Sequence, residues 1–468
     1  MTQIWAVARQ MVAEGIRMKI ALVFLGLMGM VVLGLPFSIS GDSSVTGAVQ
    51  SFMSYGLSAT GVLLGMLTIF MSRSLSDELV NRHVYLVLTK PIPRWQFLMG
   101  KWIGMMALNA AFLAFSGLAI WGMVHYIKRT HPPIDEHFDM RELDDQVLVA
   151  RHPTKVTVPD FGKLAEQEFE RNREQGVYVN VPDFKPGQEM ARLRNKYEAR
   201  WRLVPPYDSR TFEFKKILCD RSPDKYIQLR YKTEVIRYPT DEIFRSVWRF
   251  GNPYKGTPLY ESPTRHVVGR YHTIPIRADA VAPDHTLTVQ FYNYNPFEGE
   301  TQAYNIIEFR APDGPEVLFV VGSFEWNLIR TLILMLCKLT FLAAVALLMT
   351  TVFSFPVACL ASFTIYVLSG SRSFITEAFD YISDDRAGMF SSLNEFVIQS
   401  IAYVYNMIHW VLPSFSRYDA VETFVNGRNV SLVWVLQALS ELVLLKTTII
   451  IGLAILLFHR REVAETSI

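Results

Sequence analysis

A stretch in the first quarter of the chain, residues 73–101, places charged side chains beside apolar ones at helical spacing. Asp77, Glu78 and Arg82 lie next to an interrupted apolar face, and Pro91 then stops the pattern. We therefore predict an amphipathic helix over residues 74–95. A soluble partner that binds a cytoplasmic helix with a membrane span attached at each end could move both spans.

The sequence lacks the motifs by which such a chain could itself hydrolyse ATP or hold a metal ion. No Gly-x-x-x-x-Gly-Lys-Ser/Thr loop occurs, and Gly100-Lys101 is not followed by a hydroxyl that could bind magnesium. His266, His272 and His285 lack ligand spacing, so we interpret them as strand and loop histidines. We expect no catalytic residue, metal site or cofactor in this chain.

Three charged residues lie inside apolar stretches, where a charge is costly unless it is paired or reaches the interface. Lys338 and Glu441 are 16 and 17 residues from the cytoplasmic ends of their stretches at Ser354 and Phe458. At 1.5 Å per residue they lie at similar depths, about 24 and 26 Å. Either both side chains extend to the outer interface, or they form a pair. Lys446 lies deeper, at about 18 Å, and is a candidate for a polar translocation path.

The composition is that of a membrane protein. Half of the 468 residues are hydrophobic, and the mean hydropathy is +0.18, which is high for a soluble chain of this length. A net charge of +2 without a concentrated basic face argues against nucleic acid as a partner. Three cysteines are too few for a disulfide framework.

Six stretches approach or exceed the length of about 20 apolar residues that a spanning helix needs. They are residues 18–38, 51–72, 97–127, 328–355, 356–370 (the short one) and 432–458. Basic residues before the first, between the second and third, and after the last predict that both termini are cytoplasmic. That requires an even number of crossings, so we interpret residues 394–412 as an outer interfacial helix, with a re-entrant segment left open.

Residues 128–325 form a polar block that the same count places outside the membrane. Residues 128–205 are charged and predicted to be mainly helical, whereas residues 206–325 alternate with period two and are predicted to be β-rich. Strands are predicted at 211–218, 227–231, 244–250, 266–274, 287–291, 304–309 and 316–321. The predicted fold is an α-helical polytopic membrane protein of six transmembrane helices with a mainly β, sandwich-like extracytoplasmic domain.

The loop between the second and third spans resembles that of the ABC-2 type transporter permease family. The ordered family pattern is an acidic residue, a Thr/Ser-Lys-Pro-x-x-Arg run, an aromatic residue and Gly-Lys. It is matched at Glu78, Thr89, Lys90, Pro91, Arg94, Phe97, Gly100 and Lys101. The amphipathic stretch 1–17, the order of the spans, and Leu412-Pro413 before a last span with a basic end are also similar. The large insertion at 128–325 is a departure from the simplest members of the family.

The resemblance implies that this loop contains a coupling helix that docks on a separate ABC ATPase, which binds ATP and Mg²⁺. It also implies that two permease subunits, identical or different, assemble with two ATPases in the cytoplasmic (inner) membrane. The residues implied in coupling are Asp77, Glu78, Arg82, Thr89, Lys90, Pro91, Arg94, Phe97, Gly100 and Lys101. We expect Glu78 to contact the ATPase.

Four interpretations stay open on the sequence. Basic residues at a cytoplasmic span end also serve as simple anchors. Beyond that, three functions are open. The chain is a permease for ATP-driven transport, with export as the expected direction; part of an ATP-driven mechanical complex that acts on envelope proteins through the outer domain; or a membrane-anchored binding module. A passive anchor has no need of a coupling loop, which favours the ATP-driven interpretations. The sequence does not identify a substrate.

Overall fold

The computed structural model describes residues 2–17, 19–38, 44–80, 92–130, 140, 142–178, 185–236, 242–297, 305–310, 314–371, 403 and 413–460. The chain forms two compact units. The helical unit comprises Met1–Ala150 and Gly322–Ile468, and the β domain comprises Arg151–Val321. We predicted the outer domain to begin at 128, but Leu143 and Val147 are buried in the core of the helical unit.

Among its described residues, the helical unit contains four helices that are long and apolar enough to cross a membrane, so the protein is a membrane protein. These are Val45–Val80, Arg94–Thr130, Phe324–Val352 and Leu432–Arg460. A fifth span arises if Gln3–Arg17 and Ile20–Gly34, which meet at a bend of 65°, count as one. Within the described helices we use the labels α1 (Thr2–Arg17), α2 (Ile20–Ser38), α3 (Val45–Met71), α4 (Arg73–Val80) and α5 (Arg94–Thr130).

The described part of the predicted cytoplasmic helix continues the preceding span. α3 and α4 together form a helix of 36 residues. Ser72 is the only residue between them, and its carbonyl still accepts hydrogen bonds from the backbone N–H groups of Leu75 and Ser76. Without a proline or glycine at the junction the chain has no reason to turn along the membrane. Residues 81–91 and most of the predicted interfacial helix 394–412 lie outside the described residues.

The C-terminal half of the helical unit is organised around one enclosed helix. Later helices are α6 (Phe161–Glu174) and α7 (Pro186–Arg202) in the β domain, then α8 (Phe324–Val352), α9 (Phe355–Gly370) and α10 (Val421–Val425). The last helix, Leu432–Arg460, has π-helical geometry over Leu439–Thr447. α8 packs against α3, α5, α9 and the last helix. Its buried face carries small residues, among them Ala343, Ala344 and Ala346, which let neighbouring helices approach closely.

The described residues of the β domain form three sheets. Strand orders are β1-β11-β4-β8, β2-β10-β5 and β3-β9-β6-β7. The strands are β1 (Val149–Lys155), β2 (Leu203–Val204), β3 (Ser209–Phe214), β4 (Tyr226–Lys232), β5 (Glu234–Val235), β6 (Ile243–Phe250), β7 (Tyr260–Val267), β8 (Tyr271–Arg277), β9 (Leu287–Tyr292), β10 (Ile307–Glu308) and β11 (Glu316–Ser323).

An aromatic core joins these sheets. The Trp248 ring lies 4.5 Å from that of Tyr231 and 4.8 Å from that of Phe291, between ring centroids. The alternation along β9 is as predicted, with Leu287, Val289 and Phe291 all buried. The single strand predicted over residues 266–274 is wrong: Gly269, with φ of 76°, turns the chain there and separates β7 from β8.

Candidate functional site

Lys101 lies in a fully buried position that joins three segments of the helical unit. Its ammonium nitrogen donates to Glu14 Oε2 at 2.9 Å, to Ser74 Oγ at 2.8 Å and to Glu78 Oε1 at 2.8 Å. Lys101 comes from α5, Glu14 from α1, and the other two residues from α4. Because an ammonium group has three donors, these three acceptors satisfy it completely. A buried lysine with no exposed surface requires such partners.

Gln10 completes this arrangement, which we call the Lys101 cluster (Gln10, Glu14, Ser74, Glu78 and Lys101). The Gln10 amide nitrogen donates to Glu14 Oε1 at 2.7 Å and to Glu78 Oε1 at 3.3 Å. The Ser74 hydroxyl also donates to Glu14. α1 is therefore tied by two of its side chains to α4 and α5, so that a displacement of α4 would act on all three helices.

Two glycines one helical turn apart allow α1 to approach α5. A Cβ atom at Gly100 would lie 2.6 Å from Val7 Cβ, and one at Gly104 would lie 2.6 Å from Met11 Cβ and 2.8 Å from the Ala8 carbonyl oxygen. These distances leave no room for a side chain on α5. The close approach is what brings Glu14 within reach of Lys101.

Arg94 and Phe97, at the start of α5, contact the C-terminal end of the last helix. Arg94 donates to the carbonyl oxygens of Phe458 at 3.0 Å and His459 at 2.9 Å. Arginine at the C-terminal end of a helix satisfies carbonyls that have no partner within the helix. The ring of Phe97 stacks on that of Phe458 at 6.2 Å. The beginning of α5 therefore contacts α1, α4 and the C-terminal end of the last helix at one end of the unit.

The Lys101 cluster lies where these helices leave their uncharged stretches. No Asp, Glu, Lys or Arg occurs between Lys101 and Lys128, or between Asp42 and Arg73. Helices of 36 and 37 residues are about 54 and 55 Å long, against a hydrocarbon thickness of about 30 Å. The cluster is thus placed at the projecting ends, where a soluble partner could reach the adjoining surface.

The outward side of α4 is built differently from its buried side. Asp77 and Arg73 form an exposed pair, with Nε and Oδ2 at 3.2 Å and side chains 53% and 49% exposed for Arg73 and Asp77, respectively. Val80 is also exposed at the end of α4. Adjacent acidic residues therefore have different environments: Asp77 faces outward and Glu78 faces Lys101.

The structure brings together Glu78, Gly100 and Lys101 of the predicted coupling residues and places Arg94 and Phe97 beside them. Arg82, Thr89, Lys90 and Pro91 lie outside the described residues. The sequence interpretation missed Gln10, Glu14, Ser74 and Gly104. The Gly-x-x-x-Gly spacing of Gly100 and Gly104 was a usable signal for close helix packing, whereas Glu14 and Ser74 had none.

Of the two alternatives for Lys338 and Glu441, the one in which they pair with each other is wrong, since each takes another partner. Lys338 Nζ lies 3.7 Å from Asp419 Oδ1. Glu441 Oε1 lies 3.2 Å from Lys446 Nζ, and Tyr418 donates a hydrogen bond to Glu441. The two adjacent residues Tyr418 and Asp419 thus occupy the space between the helices, which spacing along each helix alone could not reveal.

Two histidines of the β domain stack on one another. The rings of His266 and His272 lie 4.1 Å apart and only 3° from parallel. The Tyr231 hydroxyl bonds to His266 Nδ1, and His272 Nε2 lies 2.7 Å from the Val267 carbonyl oxygen. Burial, with a smaller contribution from His272, lowers the pKa of His266 from 6.5 to about 4.

We expect acid to destabilise the β domain through His266. The unfolded chain binds a proton here below pH 6.5, but the folded domain does not until about pH 4. The free energy of unfolding should therefore fall as the pH drops from 6.5 to 4, by about 1–2 kcal/mol because the ring is only half-buried. Hydrogen exchange of strand β7 in the full chain, compared with His266→Gln at each pH, measures this. An equal pH dependence in the two proteins would assign the effect elsewhere.

Within the described part of the chain, no three His, Cys, Asp or Glu residues are grouped so that they could hold a metal ion. Compared with known proteins, the chain matches no family model, and no curated protein matches it.

Proposed function

We propose that this protein is the permease subunit of an ATP-driven, ABC-2 type transporter in the cytoplasmic membrane. In this proposal the chain crosses the membrane six times with both termini cytoplasmic, and export is the direction of transport. It pairs with a second permease subunit and with a separate ATPase that binds ATP and Mg²⁺. The observation that carries the proposal is the Lys101 cluster, which connects α4 to α1 and α5 through the hydrogen bonds of the buried Lys101 ammonium group.

The cluster suits transmission of a movement from outside the membrane. A force on α4 is passed to α5 through Glu78 and Lys101, and to α1 through Ser74 and Glu14, because these groups are directly bonded. All of them except the partly exposed Glu14 are buried. A passive membrane anchor would not need such connections. This supports the two ATP-driven interpretations alike, a transporter and a mechanical complex acting on an envelope protein through the β domain; the family resemblance favours the transporter.

Contact between Glu78 and the ATPase stays a prediction, but the geometry changes how contact should be tested. Glu78→Lys would place a second ammonium group beside Lys101 and disrupt the cluster with or without a partner. Asp77 is the better probe because its carboxylate is about half exposed on the same helix. In our proposal, the exposed face of α4 contacts the ATPase while Glu78 transmits the movement.

Asp77→Lys should therefore abolish copurification of the ATPase in mild detergent, while expression and thermal stability of the permease stay unchanged. A reversed charge at a contact costs several kcal/mol of binding free energy, so we expect at least about a tenfold loss. Glu170→Lys, on an exposed helix of the β domain, is the matched charge reversal and should retain the ATPase. Retention in Asp77→Lys would exclude this face of α4, and absence of an ATPase from the unsubstituted protein would reject the proposed function.

A further inference from the structure

Residues 413–420 form a segment without regular helix beside the middle of α8. Its only regular element is a 3-10 turn at Ser416–Tyr418. The backbone N–H of Phe415 donates to the Ser369 carbonyl at 3.0 Å, and the ring of Phe415 lies 6.0 Å from that of Phe341. Phe341 is the eighteenth of the 29 residues of α8. The segment therefore lies beyond the midpoint of a membrane-spanning helix.

After this segment the chain returns to the N-terminal end of α8, where residues 428 and 430 contact Asn327. The Asn327 side chain donates to the Arg428 carbonyl and accepts from the Val430 N–H, both at 2.8 Å. Between Asn327 and Phe341 the helix rises about 21 Å at 1.5 Å per residue. The segment thus enters the hydrocarbon depth of about 30 Å, where irregular backbone is tolerated only if it is buried in protein or lines water.

The side chains on this segment decide between those two alternatives. Asp419 is 53% exposed and Arg417 is 66% exposed, although Asp419 lies against Lys338 at the middle of α8. Charged groups exposed to this extent at that depth cannot face lipid. They must face water.

The last helix adds two further charges to the same surface. Its π-helical stretch brings Glu441 and Lys446 to 3.2 Å, and Arg417 Nη1 lies 3.9 Å from Glu441. π-helical turns occur frequently at functional sites because they redirect side chains. We call the five residues Lys338, Arg417, Asp419, Glu441 and Lys446 the polar wall. Three cations and two carboxylates leave it one positive charge in excess.

We infer that the polar wall lines a water-filled cavity that opens at the end of the helical unit where α8 begins and reaches the middle of α8. Because of the excess positive charge, the cavity admits small anionic solutes in preference to cationic ones. The inference rests on the membrane location of α8 and does not depend on an ATPase, so it can fail or hold independently of the proposed function.

Thiol accessibility tests the inference with the full chain in lipid nanodiscs. Cys219, Cys337 and Cys359 are first replaced. Ser416→Cys then places a thiol on the segment without changing its charge, and Leu444→Cys, which is 71% exposed on the same helix as Glu441, is the matched control facing lipid. Membrane-impermeant methanethiosulfonate reagents react only with ionised thiols in water.

We expect Ser416→Cys to react at least about tenfold faster than Leu444→Cys, because a thiol in hydrocarbon does not ionise. Each reagent's rate with Ser416→Cys is divided by its rate with a free thiol in solution. After this correction the anionic reagent should react faster than the cationic one, and Lys338→Met should reduce that preference. Reaction of Ser416→Cys no faster than the control would overturn the cavity. If Ser416→Cys forms disulfide-linked dimers and is protected from the reagents, a second copy of the chain covers the polar wall and the water-filled cavity is overturned. If the anionic reagent shows no preference, the anion selectivity is rejected.

Discussion

Lys101→Met should lower the free energy of unfolding of the helical unit by about 3–5 kcal/mol, because removing one partner from a buried ion pair leaves the other charge unpaired. Here two carboxylates lose their cation at once. The methionine side chain nearly preserves the packed volume of lysine, so the loss reports charge rather than shape. Thermal unfolding of the purified protein in one detergent measures it as a drop in Tm.

Two comparisons identify the source of that loss. Arg73→Met removes an exposed pair on the same helix and should change stability by no more than about 0.5 kcal/mol. The triple variant Lys101→Met, Glu14→Gln, Glu78→Gln replaces the charges with neutral groups that can still form hydrogen bonds, and should recover much of the stability. If Lys101→Met behaved like Arg73→Met, the cluster would not stabilise the helical unit.

Gly104→Leu should separate α1 from α5. Even the Cβ atom of alanine would lie 2.6 Å from Met11 Cβ and 2.8 Å from a backbone oxygen of α1, so Gly104→Ala should cost about 1–3 kcal/mol, and leucine more. Because α1 carries arginines at positions 9 and 17, its release should make the N-terminus sensitive to trypsin. Peptide mapping during limited digestion checks this directly.

Gly122→Ala is the matched control in the same helix. A Cβ there meets no atom within 4 Å, and alanine is favoured over glycine inside a helix by about 1 kcal/mol, so stability should stay the same or rise. Opposite signs at Gly104 and Gly122 would establish the contact with α1 as the cause. Equal behaviour of the two alanine variants would contradict the close packing of α1 on α5.

Lys101→Met and Gly104→Leu test two different parts of the proposed coupling. Lys101→Met breaks the polar connection while leaving the helices in place, whereas Gly104→Leu moves a helix while leaving the charges intact. In our proposal both variants still bind the ATPase through Asp77 but lose transport relative to ATP hydrolysis. Asp77→Lys loses the ATPase itself.

Several features followed from the sequence because they depend on local periodicity. The long apolar runs determined the four long helices, since about 20 apolar residues suffice to cross a bilayer. Period-two alternation determined strands such as β9, in which every second residue is buried. The position of Gly-Lys at the start of the third apolar stretch directed attention to the part of α5 that now forms the contact with α1 and α4.

Tertiary structure alone decided which residues meet. The acceptors of Lys101 come from positions 14, 74 and 78, up to 87 residues from Lys101 along the chain. Ser74 and Glu78 are one helical turn apart on α4, but no periodicity links them to Glu14 or to Lys101. The pairing of Lys338 depended on Asp419, which lies in a segment without repeating pattern. Depth along a helix can be counted from a sequence at 1.5 Å per residue, but the direction in which a side chain points toward a neighbouring helix depends on packing. For this reason the sequence indicated charges that needed partners, and only the fold determined those partners.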